Sequence, residues 1–264
     1  MVKVRIAKFI ADNGFASRRE AERLVESGAI SVNGIVIDTP VFFIEENDKV
    51  TINGKQILRF QTPDSRLPTV IAFHKPINTM TTARDPNGRE TVYDALPAKY
   101  KNFKYVGRLD YKTTGLLLIT NDGALARELT LPLAGIKRTY VAKLRAANVA
   151  DIKSPSRARA LRDFLSPLSA DDAIFDPLRR GVTIDGVKYA PMEIELISRY
   201  PLSVKIVLRE GKKNEIRIAF DYIGLPVSKL RRESYGPIQL GDLPIGKYRE
   251  LSEKEVLSLQ AGSV

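Results

Sequence analysis

The chain has 264 residues, 44% hydrophobic and 28% charged, enough to build one large domain or two smaller ones with sizeable cores, and no apolar run nears the ~18 residues of a membrane span. Cys is absent and there is a single His, His74, which excludes disulfides and thiolate metal sites and argues against zinc hydrolysis, Cys catalysis and a Ser-His-Asp triad. The net charge of +11 and pI near 9.7 point to a polyanionic partner, and residues 1–60 hold nine basic and eight acidic residues, so ten of the eleven excess positive charges lie beyond them.

The N-terminus, MVKVRIAKFIADNG, mixes charges into its apolar positions and lacks the apolar stretch of a secretory signal, so the expected location is the cytoplasm. Ile6, Phe9 and Ile10 recur at helical spacing and Gly14 is the expected stop. Ser17 and Glu20 form an S-x-x-E capping box that opens a second helix, SRREAERLVESG. Its apolar positions Ala21, Leu24 and Val25 face a core, Gly28 ends it, and Arg19 and Arg23 are i,i+4 neighbours. The segments AISVNGIVI and DKVTINGKQI follow, each with an Asn-Gly pair that favours a tight hairpin turn. Arg18, Arg19 and Arg23 read either as a solvated face paired with Glu22 and Glu26, or as a basic contact surface.

This first stretch resembles the small RNA-binding module of ribosomal protein S-four type over residues 3–56. The resemblance implies that the second helix and the VNG turn, with Arg18, Arg19, Arg23 and Asn33, meet structured RNA. We assign residues 1–58 to this α/β module and residues 59–69, RFQTPDSRLPT, to a linker without periodicity.

Residues 70–264 read as many short strands with few helices, which suggests an α+β fold with a mixed, largely antiparallel sheet. Expected strands are Val70–Phe73, Leu116–Thr120, Arg138–Leu144, Glu193–Ser198 and Ser203–Leu208. Expected helices are Gly123–Leu129 and Ala158–Phe164. Over residues 215–223 a strand (Glu215–Ile218) competes with a helix (Ile216–Ile223). Residues 153–176, basic in their first half and acidic in their second, read as a surface excursion. In VGRLDYKTTGLLLITNDG, Leu116–Ile119 is a buried strand closed by Asn121-Asp122-Gly123. Asp110 before it is either a turn-forming Asp or a carboxylate held at the rim of a sheet. There is no GxGxxG or GxxxxGK[ST] phosphate loop, so any chemistry must use carboxylates, Tyr, Lys and Arg.

Four separated motifs, HKPINTMTTARDPNGRETVYDALP, GRLDYKTTGLLLITNDG, KRTYVAKL and EGKKNEIRIAF…LRRESYGPIQLGDLPIGKYREL, occur in this order. Together they resemble the RsuA/RluB branch of the pseudouridine synthases, which modify ribosomal RNA and commonly carry the same N-terminal module. The resemblance implies the pseudouridine synthase fold for residues 70–264. Its activity is breakage of a uridine C1′–N1 bond and rejoining of C1′ to C5, without metal or cofactor. Asp110 is then the catalytic aspartate, Tyr140 the active-site tyrosine and Arg217 the arginine that pairs with Asp110. Such an arginine would hold the carboxylate ionised through two parallel hydrogen bonds. Lys75, Arg89, Arg108, Lys212, Lys213, Arg231 and Arg232 become RNA contacts, as does Arg84. The first motif departs from the family pattern at His74 and Asn78, and the fourth at Ile218. Glu215 tilts the expected substrate toward large-subunit ribosomal RNA. Small-subunit RNA, or a non-catalytic assembly factor on the same scaffold, are the alternatives. The expected partner is ribosomal RNA or a pre-ribosomal particle, met by a monomer without a membrane.

Overall fold

A computed structural model describes residues 3–13, 15–45, 47–57, 67–131, 134–166 and 172–262. The chain divides into two compact units, Met1–Leu67 and Pro68–Val264. Gly14 and residues 59–66 of the expected linker lie outside the described residues. No described helix is long and apolar enough to cross a membrane.

The first unit runs β1 (Val4–Arg5), α1 (Ile6–Asp12), α2 (Arg18–Glu26), β2 (Ile30–Val32), β3 (Ile35–Val36), β4 (Phe43–Ile44), β5 (Val50–Ile52) and β6 (Lys55–Ile57). Ser17 accepts the Glu20 N–H at 3.3 Å, satisfying one of the free donors at the start of α2. Ile6, Phe9 and Ile10 meet Ala21 and Val25 in one core with Ile30, Val32 and Val50. Four strands make a sheet in the order β3-β2-β5-β6. Asn33-Gly34 and Asn53-Gly54 turn its two hairpins, all four residues at positive φ, as the tightest hairpin turns require.

The second unit contains β7 (Val70–Lys75), β8 (Lys104–Val106), β9 (Thr113–Thr120), α3 (Gly123–Thr130), β10 (Arg138–Leu144), α4 (Pro155–Leu165), α5 (Asp176–Arg179), β11 (Val182–Ile184), β12 (Val187–Tyr189), β13 (Glu193–Arg199), β14 (Leu202–Leu208), α6 (Glu215–Tyr222), β15 (Val227–Tyr235), β16 (Ile238–Gln239), β17 (Tyr248–Glu250) and α7 (Glu253–Ala261). The main sheet has the order β13-β14-β10-β15-β9-β7-β17, with β16 on β15 and β8 on β9. It is the expected mixed sheet, antiparallel throughout except where β15 runs parallel to β9. Leu116–Ile119 are fully buried, as a continuous apolar run in a covered strand should be.

Thr114-Gly115 lies inside β9. Gly115 sits at φ +111 and a Cβ there would lie 2.3 Å from the Arg232 carbonyl oxygen, so glycine is what lets β15 approach. Residues 215–222 are helix, not strand, because Ile216, Ala219, Phe220 and Ile223 put one stripe into the core. The segment 153–176 is no surface excursion. Leu161 and Phe164 of α4, with Ile174 and Phe175, belong to the main core, and Ala158 of α4 is buried, while residues 167–171 lie outside the described ones. The Phe175 ring packs on Phe164 at 5.5 Å and on Phe220 of α6 at 6.0 Å. The excursion therefore supports α6.

Candidate active site

Residues 107–111 of the loop between β8 and β9 line a cleft of about 970 Å³. Asp110, Arg217 and Tyr140, drawn from the loop, α6 and β10, all line it. The loop is held by its backbone. Thr81 grips the Leu109 peptide from both sides, donating to its oxygen at 2.8 Å and accepting from its nitrogen at 3.4 Å. The Asp110 carbonyl accepts the Thr113 N–H at 3.0 Å, and the Tyr111 carbonyl accepts the Asn78 N–H at 2.8 Å. Asn78 adopts φ 63, the left-handed conformation that Asn tolerates better than most residues. The segment from Lys75 to Thr81 is thus the buttress of the Asp110 loop.

The expected Asp110–Arg217 ion pair is not direct. Arg217 donates from Nη2 to the Lys112 carbonyl at 3.0 Å and from Nη1 to the Val227 carbonyl at 3.1 Å, and its Nε is buried without a partner. A bidentate bond to the carboxylate is replaced by a bridge between two peptide carbonyls beside it. The two side chains still feel each other: burial lowers the Arg217 pKa and the Asp110 charge opposes that shift.

Lys75 is the second correction. It is 0% exposed, so it cannot be an RNA contact. Its ammonium donates to the Pro76 and Thr113 carbonyls at 2.9 Å each. Burial pushes it down to about 8, with Asp110 resisting and Arg232 reinforcing the shift. Arg232 is the third correction. Only 2% exposed, it donates from Nε to the Leu116 carbonyl at 2.7 Å and lies over the Tyr235 ring at 5.1 Å. Asp110 is the acidic partner that offsets burial at both Lys75 and Arg217. Buried cations need such a counter-charge.

Tyr140, 8% exposed, pairs with Arg232 across β15 at a register shift between Thr139 and Tyr140. Such an irregularity re-aims a side chain. Arg108, Lys212 and Lys213 line the cleft. Lys212 is ion-paired with Glu210. Arg89 forks onto Asp85 at 2.7 and 3.0 Å and lies 5.8 Å from the Tyr111 ring. Arg231 pairs with Glu233 at 2.5 Å. In the first unit, Arg18, Arg19 and Arg23 are exposed on α2 and hold no ion pair among the described residues. Asn33 spends its side chain on Asp48 and the Lys49 N–H, at 2.7 and 2.9 Å. His74 is a core histidine whose Nδ1 donates to the Leu243 carbonyl at 2.7 Å.

Sequence reasoning missed Thr81, Arg127, Arg138, Glu210 and Tyr111, all cleft-lining. For Arg127 a signal existed. Asp122 caps α3, accepting the Ala124 and Leu125 N–H groups at 2.7 and 3.1 Å, which puts Arg127 one turn into a helix above the cleft. Thr81 carries none, since a lone Thr in a loop is unremarkable by pattern.

A family model described as RNA pseudouridylate synthase matches residues 69–222, and one described as S4 domain matches residues 4–50. The chain is 34% identical over 252 residues to an uncharacterized RNA pseudouridine synthase of Rickettsia typhi, covering 95% of this chain and 92% of that one. It is 33% identical over 261 residues to the ribosomal large subunit pseudouridine synthase B of Bacillus subtilis, covering 97% and 96%. A crystal structure of a pseudouridylate synthase superposes with a TM-score of 0.63 at 22% identity, covering 97% of this chain and 99% of that one. That likeness is of fold.

Proposed function

The chain belongs to the RNA pseudouridylate synthase family, and on that premise we propose that it isomerises a uridine of large-subunit ribosomal RNA with Asp110, Tyr140 and Arg217 as its working residues. The observation that carries the reading is the convergence of Asp110 with Arg217 in one cleft from positions 107 apart in the sequence. The large-subunit substrate rests on likeness to the Bacillus subtilis protein over nearly the full length of both chains.

The reaction is an intramolecular transfer. The C1′–N1 bond breaks, the base turns, C1′ bonds to C5, the C5 proton leaves and N1 gains one. The target nucleotide has to leave its helix to present that bond. Asp110 acts ionised, as nucleophile or as base, and its charge offsets the burial of the Lys75 and Arg217 cations. Tyr140 offers a ring for the base to stack on and a hydroxyl for proton transfer at C5. Arg108, Arg127 and Lys213 supply phosphate contacts at the rim, and Arg18, Arg19 and Arg23 supply a second set on the first unit.

The test is tritium release from C5-labelled ribosomal RNA fragments. The wild type is expected to release label from a large-subunit fragment and Asp110→Asn to release none above background. Equal release by the two proteins refutes the catalytic assignment. Label release confined to small-subunit fragments refutes the substrate.

A further inference from the structure

Two carboxyl groups stand on one wall of the cleft outside the Asp110, Tyr140 and Arg217 set. Glu215 opens α6 and is only 4% exposed. Glu210 lies five residues earlier, beyond the end of β14, and both line the cleft. Glu215 Oε2 accepts the Lys212 N–H at 3.0 Å. Glu210 Oε1 accepts the Ala190 N–H at 2.7 Å, and its Oε2 takes the Lys212 ammonium. That leaves Glu215 Oε1 buried with no donor facing it and the Glu210 carboxyl against it. A buried acceptor set against another acceptor is satisfied by a proton between them.

We propose that Glu215 and Glu210 share one proton and act as a positioning pair, clamping the turn 211–214 and the first turn of α6 so that Arg217 keeps its bridge to the Asp110 loop. The inference rests on reading this cleft as the pseudouridine-forming site. Asn214 gives the clamp its reason: it sits at φ 54 immediately before the helix, a conformation that costs a non-glycine residue energy. Burial, then the neighbouring Glu210 carboxyl, pushes Glu215 up to about 8. Burial works against ionised Glu210, but hydrogen bonds from Glu215, Lys212 and Ala190 hold it below the usual carboxylate range. Other charged or titratable groups near the pair are Lys213 in the clamped turn, which lines the cleft, Tyr189 at the end of β12, whose ring lies 5.8 Å from the Lys212 ammonium, and Arg138 on β10, which lines the cleft and donates to the Arg209 carbonyl at 3.3 Å. Loss of the shared proton sets two negative charges in contact, and the turn that carries Arg217 loosens.

Two measurements test this. The first is kcat and KM for tritium release from about pH 6 to about pH 9.5 in the wild type, Glu215→Gln and Glu215→Ala. Gln keeps a donor facing Glu210 at every pH and does not titrate. The wild-type kcat is expected to fall about tenfold across the alkaline range, Glu215→Ala to be about tenfold low at every pH, and Glu215→Gln to recover most of that loss and show a flatter alkaline limb. The same limb in Glu215→Gln as in the wild type overturns the proposal and transfers the titration to another group. Wild-type rates in Glu215→Ala also overturn it. The second is a carboxyl carbon NMR titration, which needs no activity and no folded alanine variant. A Glu215 midpoint near 8 that falls in Glu210→Gln supports the shared proton, and an ordinary carboxylate midpoint overturns it. A wild type without activity refutes the function, and the NMR titration still decides the pair.

Discussion

Arg217 donates to the carbonyl of Lys112 at 3.0 Å, so a side chain on α6 is bonded to the backbone two residues past Asp110. The guanidinium positions the loop and lends its charge to the carboxylate without spending either carboxylate oxygen. A direct two-pronged pair would have anchored Asp110 more tightly and left it less free to react.

Arg217→Lys tests the bridge. One ammonium cannot span the Lys112 and Val227 carbonyls as the planar fork does. The expected outcome is a fall in kcat of about 10²-fold from misplacement of the loop, with a smaller change in KM. Steady-state kinetics of tritium release separates the two, and an unchanged kcat refutes the bridge as a positioning contact.

Asp110→Asn removes the counter-charge of Lys75 as well as the reacting group. Activity should fall by about 10²–10⁴-fold or more, and stability by about 1–3 kcal/mol at pH 6. The stability loss should shrink with alkalinity. Lys75 titrates near 8 when folded and near 10.5 when unfolded, so above about 8 the folded chain sheds a proton that the unfolded chain keeps, and the wild type gains stability with pH in that window. Once Lys75 is neutral, Asp110 no longer has it to balance. Urea unfolding of both proteins at acidic and alkaline pH measures the difference, and a cost independent of pH rules out the coupling.

Tyr140→Phe and Tyr140→Leu separate hydroxyl from ring. Loss of the hydroxyl alone should lower kcat by about 10²-fold or more. Loss of the ring should additionally raise KM, by an amount matching about 1–3 kcal/mol of stacking. Activity in Tyr140→Phe equal to the wild type would leave the ring as the only functional part.

Gly115→Ala should prevent folding of the second unit or destabilise it by about 3 kcal/mol or more, since the added Cβ meets backbone rather than a yielding side chain. Circular dichroism and denaturant titration read this directly. A stable variant would mean that β9 and β15 can separate without cost.

The parts legible in the sequence are those whose chemistry is local. Leu116–Ile119 announces a covered strand, the Asn-Gly pairs announce hairpins, and Asp122 with Gly123 announces the start of α3. The strand β15 was not legible, although it joins β10 to β9 in the sheet. Its sequence VSKLRRESY carries four charges, and nothing local reveals that Arg232 is buried rather than exposed. Lys75 misled for the same reason, because a lysine beside a proline reads as a surface residue until the carbonyls of Pro76 and Thr113 are seen to enclose it. The motifs brought Asp110, Tyr140 and Arg217 to one cleft. The indirect form of the Arg217 contact depends on where two distant carbonyls lie, which no spacing encodes.

The parallel pairing of Leu230 with Thr113 has a consequence for the order of assembly. During synthesis the Asp110 loop emerges long before α6 and β15, the elements that complete its floor and carry its cationic support. Contacts of such sequence separation form late, so the first unit can already be folded while the cleft is still open. A nascent chain could therefore hold RNA before it can modify it, and capture and chemistry would become separable events in time.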